Sequence, residues 1–333
     1  MNISEKILDI QKRLFEEIQK NLPSHYILAD AISDVLDTGR DSAYRRIRCD
    51  KILSIKELYI LCEHFQCSFD MLMGGKNIHR FDCIYRPINL SIPNEYQNYM
   101  FALSKNIEKL RATPDSSILL SATDIPVFHL ISQKELTFFK LYTWSQSVYG
   151  HEGSMDDFMK EIETQELINC YQEISKNYAL VPSTEIWTEN TINTTLRLIS
   201  YYVDIYSFSN KDFPLLLCEQ VLNILSRLQT WAENSEKAEY STPFQFYLSE
   251  MELENTYMLM KHAGIANCVV KLFTINSLNV LDEEFCKETE NWLNRLAQRS
   301  VLLCGSSEKE RIKFFNTQRQ NVHFLVKKIQ NSC

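Results

Sequence analysis

The side chains best spaced to act together lie between residues 40 and 56. Arg40, Arg45, Arg46, Arg48, Lys51 and Lys56 stand there against only Asp41 and Asp50. At about 100° per residue, a short helix over 40–48 puts Ala43 and Ile47 on one side and Asp41, Arg45 and Arg48 on the other. Ser42, Tyr44 and Arg46 flank that face. Such a helix buries a narrow apolar stripe and offers a row of guanidinium and hydroxyl groups. Arginine donates two parallel hydrogen bonds to guanine O6 and N7, while neighbouring basic side chains neutralise phosphates. The chemistry implied is recognition of double-stranded DNA in its major groove. Arg40, Asp41, Ser42, Tyr44 and Arg45 are expected at base edges, and Arg46, Arg48, Lys51 and Lys56 at phosphates.

Other constellations carry less. Cys62, His64 and Cys67 form a Cys-x-His-x-x-Cys run, but on a helix positions 62 and 64 point about 200° apart and cannot share one ion. His151-Glu152 lacks the second histidine of a zinc-protease helix. The chain has only 7 Gly and 8 Pro in 333 residues, and none of the glycines forms a phosphate-cradling GxGxxG or GxxxxGK loop. No metal, no cofactor and no catalytic group is therefore expected. The aromatics Tyr142, Trp144, Tyr149, Trp187, Tyr201, Tyr202 and Tyr206 recur at helical spacing and are read as core.

The elements that must position the basic face are short helices. Ile3, Ile7, Ile10, Leu14 and Ile18 give the first helix, over 4–20, its apolar stripe, and Leu28, Ile32, Val35 and Leu36 mark a second over 25–36. Asp37-Thr38-Gly39 turns the chain into the basic helix. Ser54 and Glu57 make a capping box that opens a fourth helix, and Ser68 starts a fifth that Gly74-Gly75 stops. The divisions expected are a DNA-binding domain over 1–75, a linker over 76–93 and a C-terminal domain over 94–333. The pattern in the last is mostly helical, over 94–111, 133–149, 155–178, 185–206, 212–233, 243–254, 282–303 and 307–330. One β-hairpin, over 256–261 and 267–275, competes with a buried helix. The fold class expected is mainly α.

Net charge is −8, unevenly placed. Residues 1–80 hold 12 basic and 12 acidic side chains, residues 81–294 hold 15 and 29, and residues 295–333 hold 8 and 2. The basic tail is expected to pair with the acidic middle. No apolar run of about 18 residues could span a bilayer, and residues 1–20 lack the apolar core of a signal peptide. Ten scattered cysteines without a CxxC pair suit a reducing compartment. A cytoplasmic protein with no membrane partner is expected.

The first segment resembles the helix-turn-helix family of Cro and lambda repressor, the XRE family, over about residues 5–75. The resemblance rests on Leu28-Ala29-Asp30-Ala31-Ile32, the turn Asp37-Thr38-Gly39, and Arg40 to Arg48. It continues through Asp50-Lys51-Ile52-Leu53-Ser54, Leu58 to Phe65 and Cys67 to Leu72. It implies a five-helix head in which 28–36 and 40–48 are the two helices of the motif, the second being the recognition helix. Two residues depart from the family pattern: Cys49 stands where glycine usually ends the recognition helix, and Asp37 where glycine is common in the turn. Asp124 to His129, Glu135-Leu136, Phe139 to Trp144 and Ser306 to Arg311 look like segments of XRE-headed regulators with long helical tails. The resemblance implies a transcriptional regulator that binds DNA as a homodimer, its C-terminal domain serving dimerisation or the sensing of a peptide or small molecule. The other reading is a protein–protein interaction scaffold with a drifted head.

Overall fold

The computed structural model describes residues 2–23, 26–73, 81, 83–85, 87–90, 92, 94–205, 207–208, 211–237, 241–272 and 275–331. Gly74-Gly75, Pro93 and Tyr206 lie outside the described residues. The chain divides into two compact units, Met1–Asp82 and Cys83–Cys333.

The first unit holds α1 (Ile3–Asn21), α2 (Leu28–Val35), α3 (Arg40–Ile47), α4 (Ile55–His64) and α5 (Phe69–Met73). Capping boxes open two of them, Asn2 with Glu5 on α1 and Ser54 with Glu57 on α4. Leu14 and Ile18 of α1, Ile32 of α2, Ala43 of α3 and Leu61 of α4 meet in one fully buried core.

Both α2 and α3 end in left-handed turns. Asp37 has φ +49° and Cys49 has φ +61°. After α3 the Cys49 N–H donates to the Arg46 carbonyl at 2.9 Å and the Asp50 N–H to the Arg45 carbonyl at 2.8 Å. That double bond pattern is a Schellman cap, whose left-handed residue is normally glycine. Cysteine in this region carries a Cβ penalty of about 1 kcal/mol. Cys49→Gly is expected to relieve it, offset by glycine's larger unfolded entropy, for a net gain of no more than about 0.5 kcal/mol. Chemical denaturation of the first unit's helical signal would read it.

The second unit corrects the mainly-α expectation: it is an α/β fold around a mixed sheet of nine strands. In chain order it runs β1 (Cys83–Tyr85), α6 (Glu95–Ala112), β2 (Ser117–Ala122), α7 (Val127–Leu130), α8 (Lys134–Tyr149), α9 (Met155–Ile162) and α10 (Gln165–Ala179). Then come β3 (Ser183–Trp187), α11 (Asn190–Asp204), α12 (Asp212–Asn234), β4 (Glu236–Lys237), β5 (Thr242–Leu248), β6 (Tyr257–His262) and β7 (Ile265–Lys271). β8 (Ser277–Val280), α13 (Glu283–Gln298), β9 (Val301–Leu302) and α14 (Glu308–Asn331) complete it. The strand order is β1-β8-β7-β6-β2-β3-β5-β4, with β9 also on β5. β2, β3 and β5 are parallel, and the rest are antiparallel to their neighbours.

One of the helices expected from periodicity gives way to this sheet and two are shortened by it. The stretch 243–254 contains β5, 185–206 begins inside β3, and 282–303 runs into β9. The stretch 155–178 is broken into α9 and α10 at Glu163-Thr164. The two strands considered for a hairpin, β6 and β7, are present as inner members of the sheet. They are joined by Ala263-Gly264 with φ +47° and +78°, the twist that a two-residue hairpin loop requires.

The sheet is covered on both faces. The cross-strand row Leu119, Leu259, Cys268 and Val280 packs under Leu293 and Leu296 of α13. The opposite row, including Leu120, Met258, Val269 and Phe246, faces the large core made with α6 to α12 and α14. Trp144, Trp187, Tyr142 and Tyr202 belong to that core, whereas Tyr149 and Tyr201 are exposed. Lys328 in the basic tail pairs with Asp204 at 2.6 Å. No helix of the described residues is long and apolar enough to cross a membrane.

Candidate functional site

Helix α3 buries Ala43 and Arg46 and leaves Arg40, Asp41, Tyr44, Arg45 and Arg48 exposed. Ser42 is half-buried, and Lys51 and Lys56 are exposed beyond the helix. Arg40 pairs with Asp30 at 2.8 Å and Arg48 with Asp50 at 3.2 Å. Both pairs are open to solvent, where such bridges are worth about 0–1 kcal/mol and exchange readily. Arg45 makes no ion pair among the described residues.

Arg46 is different. It is 2% exposed, and its guanidinium pairs with Glu57 and donates to the carbonyl and hydroxyl of Ser42. Instead of lying on the open face with Arg48 and the other side chains expected at phosphates, it ties α3 to the capping box of α4. Burial would raise the Glu57 carboxyl, but the Ser54 backbone bond and Arg46 outweigh it and hold the carboxyl below its ordinary range. Gln11, a buried residue of α1, completes the support. Its amide donates to the carbonyls of Arg46 at 2.8 Å and Lys51 at 2.9 Å and accepts from the Leu53 N–H at 2.9 Å. It went unremarked in the sequence, although it falls four residues after Ile7 on the apolar stripe of α1.

The second unit contains two polar groups of side chains that sequence reading missed. In the first, Glu185 of β3 sits between Leu120 and Phe246 in the large-core row and is fully buried. Its carboxylate accepts from His129 Nε2 at 2.8 Å, Trp187 Nε1 at 2.8 Å and the Tyr178 hydroxyl. Arg227 donates to His129 Nδ1 at 3.3 Å, which places the imidazole hydrogen on Nε2, facing Glu185. Burial lowers the pKa of His129 against the pull of Glu185, so the ring is neutral. Lys237 donates to the carbonyls of Tyr178 and Val181, both at 2.7 Å, with its ammonium 3.6 Å from the Tyr178 ring centre. Burial pushes this lysine down to about 7. With His129, Glu185 and Lys237 all at 0% exposure, the centre of the group is closed to solvent, with Arg227 half-buried at its edge, and it serves as an internal brace.

The second group borders a cavity of about 120 Å³ between the sheet and α6, α7 and α8. Leu120, Met258 and Val269 lie along one side and Met100, Phe128 and Leu141 are among its helical lining. Its polar end is at the carboxyl end of β2. There Asp124 pairs with Lys140 and accepts from Thr195 at 2.9 Å, while Lys140 also donates to Thr195 at 2.9 Å. Burial alone would raise the pKa of Asp124, but Lys140 and Lys271 together hold it below the ordinary value. Lys271, the last residue of β7, lines the same end. Its ammonium makes no hydrogen bond or ion pair among the described residues. Burial, opposed by Asp124, lowers its pKa.

Compared with protein-family models, curated proteins and solved structures, the chain matches none.

Proposed function

We propose that the chain is a sequence-specific double-stranded DNA-binding regulator of the cytoplasm. In this reading α2 and α3 form a helix-turn-helix pair, with α3 in the major groove. The observation that carries it is Arg45, an exposed arginine between Asp41 and Arg48 on the open face of α3 that makes no ion pair among the described residues. Such a guanidinium can engage a guanine edge directly, whereas Arg40 and Arg48 first give up weak surface pairs. Ser42, half-buried and bonded to Arg46, sits at the margin of this face. The unit has no overall positive charge to draw it to DNA, so affinity rests on this local basic face. Two copies of the chain, joined through the second unit, would present two such helices to half-sites about one helical turn apart.

Selection of bound fragments from random duplex DNA with the full-length chain tests the reading. A palindromic site with half-sites about 10–10.5 bp apart is expected. Arg45→Ala should then weaken binding to that site by about 1–3 kcal/mol and relax its preference at one base pair. Lys51→Ala should weaken all duplexes alike and reduce the salt slope by about one. Folded full-length protein that binds no duplex at low salt would refute the proposal.

A further inference from the structure

We propose that the cavity of the second unit is a binding site for a small monocarboxylate with an apolar or aromatic body. The inference stands apart from DNA binding and rests on shape and charge. The walls are apolar almost throughout, from Leu120, Met258 and Val269 on the sheet to Met100, Phe128 and Leu141 on the helices. At about 120 Å³ the space approaches that of an engineered apolar cavity that takes up benzene, and so suits an apolar body of about six heavy atoms with its carboxylate at the polar end. The polar end selects the sign of the ligand. Two lysines, Lys140 and Lys271, line this end with one carboxylate, Asp124, one more basic side chain than acidic. Lys140 is occupied by Asp124 and Thr195, so Lys271 is the group with a hydrogen bond to give.

The surrounding chain makes the choice more pointed. Residues 81–294 carry 15 basic and 29 acidic side chains, and this field repels anions unless cations line the site itself. The two lysines supply that local reversal. The site also lies where the parallel strand β2 ends beside the antiparallel β6, a change of strand direction at the carboxyl end of the sheet. Crevices at such ends are where open α/β sheets hold ligands. A carboxylate placed against Lys271 would pair the ammonium of a half-buried lysine and leave its apolar body on Met258 and Val269.

Isothermal titration of the full-length protein with benzoate and hexanoate tests this, against benzamide, hexanamide and hexylammonium as probes of the same size. The carboxylates are expected to bind with a Kd of about 1 mM or tighter. The amides should bind about tenfold more weakly and hexylammonium not at all. Lys271→Met should cost the carboxylates about tenfold and leave the amides unchanged, while Lys271→Arg should retain most of the affinity. Val269→Trp, which fills the cavity from the sheet side, should abolish binding of both classes. Circular dichroism establishes that each variant is folded; should Lys271→Met fail to fold, the charge series on the wild-type protein and Val269→Trp decide. Equal affinity for amides and carboxylates, unchanged carboxylate binding in folded Lys271→Met, or no carboxylate binding by the wild-type chain would each overturn the proposal. None of these readouts involves DNA.

Discussion

Glu185→Ala is expected to destabilise the second unit by about 3–5 kcal/mol, the cost of breaking a buried charge network by removing one member. Glu185 is the carboxylate of a cluster whose basic members are the buried Lys237 and, at its half-buried edge, Arg227. Without it, the indole of Trp187 and the hydroxyl of Tyr178 also lose an acceptor, since both donate to this carboxylate. Denaturant unfolding of the full chain, followed by tryptophan fluorescence, should show the transition of the second unit moving to lower denaturant. The double variant Glu185→Leu, Lys237→Met should be more stable than the sum of its parts, because two uncompensated groups leave together. The same cluster gives a pH dependence with a definite sign. Lys237 sits at about 7 in the folded protein, against 10.5 for an ordinary lysine. Between those values the unfolded chain holds the proton that the native chain has shed, so this lysine makes stability rise with pH. Lys237→Met should remove that part of the slope, as read by the difference between the two proteins at pH 7 and at pH 9.

Arg46→Ala should cost the first unit about 3 kcal/mol, while the neighbouring Arg45→Ala should change stability by no more than about 0.5 kcal/mol. The contrast follows from burial. Arg46 at 2% exposure joins Ser42 on its own helix to Glu57 on α4, and truncation leaves a void and a half-buried carboxylate without its cation. Small domains have about 5–15 kcal/mol in total, so Arg46→Ala removes a sizeable share. Glu57 is held below its ordinary pKa, so its stabilisation is present at neutral pH and lost as pH falls through the acid range. Arg46→Ala should flatten that acid limb. Thermal denaturation between pH 3 and 7 would check it.

The helices of the first unit were legible because their signals are local. Ser54 and Glu57 lie three residues apart, and the Asp37-Thr38-Gly39 turn adjoins the stripe it ends. Arg46 was misplaced although it sits three residues after the buried Ala43, on the inner side of the wheel. Its charge outweighed its position, and the partner that neutralises it lies on another helix. Asp37 and Cys49 both take the left-handed conformation that glycine would fill, so the Schellman geometry prevailed over residue type.

The sheet was illegible for a different reason. Strands buried on both faces show no alternation of polar and apolar residues. β2 reads SILLSA, a short run buried along its length that a helical period fits as well as an extended one. β5, TPFQFYL, alternates buried and exposed positions only over its first five residues, too short a stretch to decide the period. Only the hairpin of β6 and β7 announced itself, through Ala263-Gly264. The buried brace and the cavity depend on this sheet, because it brings Glu185 near Lys237 and Asp124 near Lys271 from well-separated segments. Their spacing along the chain holds no trace of that meeting.

The boundary strands of the sheet bear on how copies of this protein behave when concentrated. β1 is three residues long, and β4 and β9, which share the opposite edge, have two each. An edge so short offers few free N–H and C=O groups for another chain to extend. Strand-by-strand polymerisation through the core sheet is thereby discouraged, even though the inner strands are apolar enough to support it. Association between copies is left to side-chain surfaces, which can close on themselves and stop.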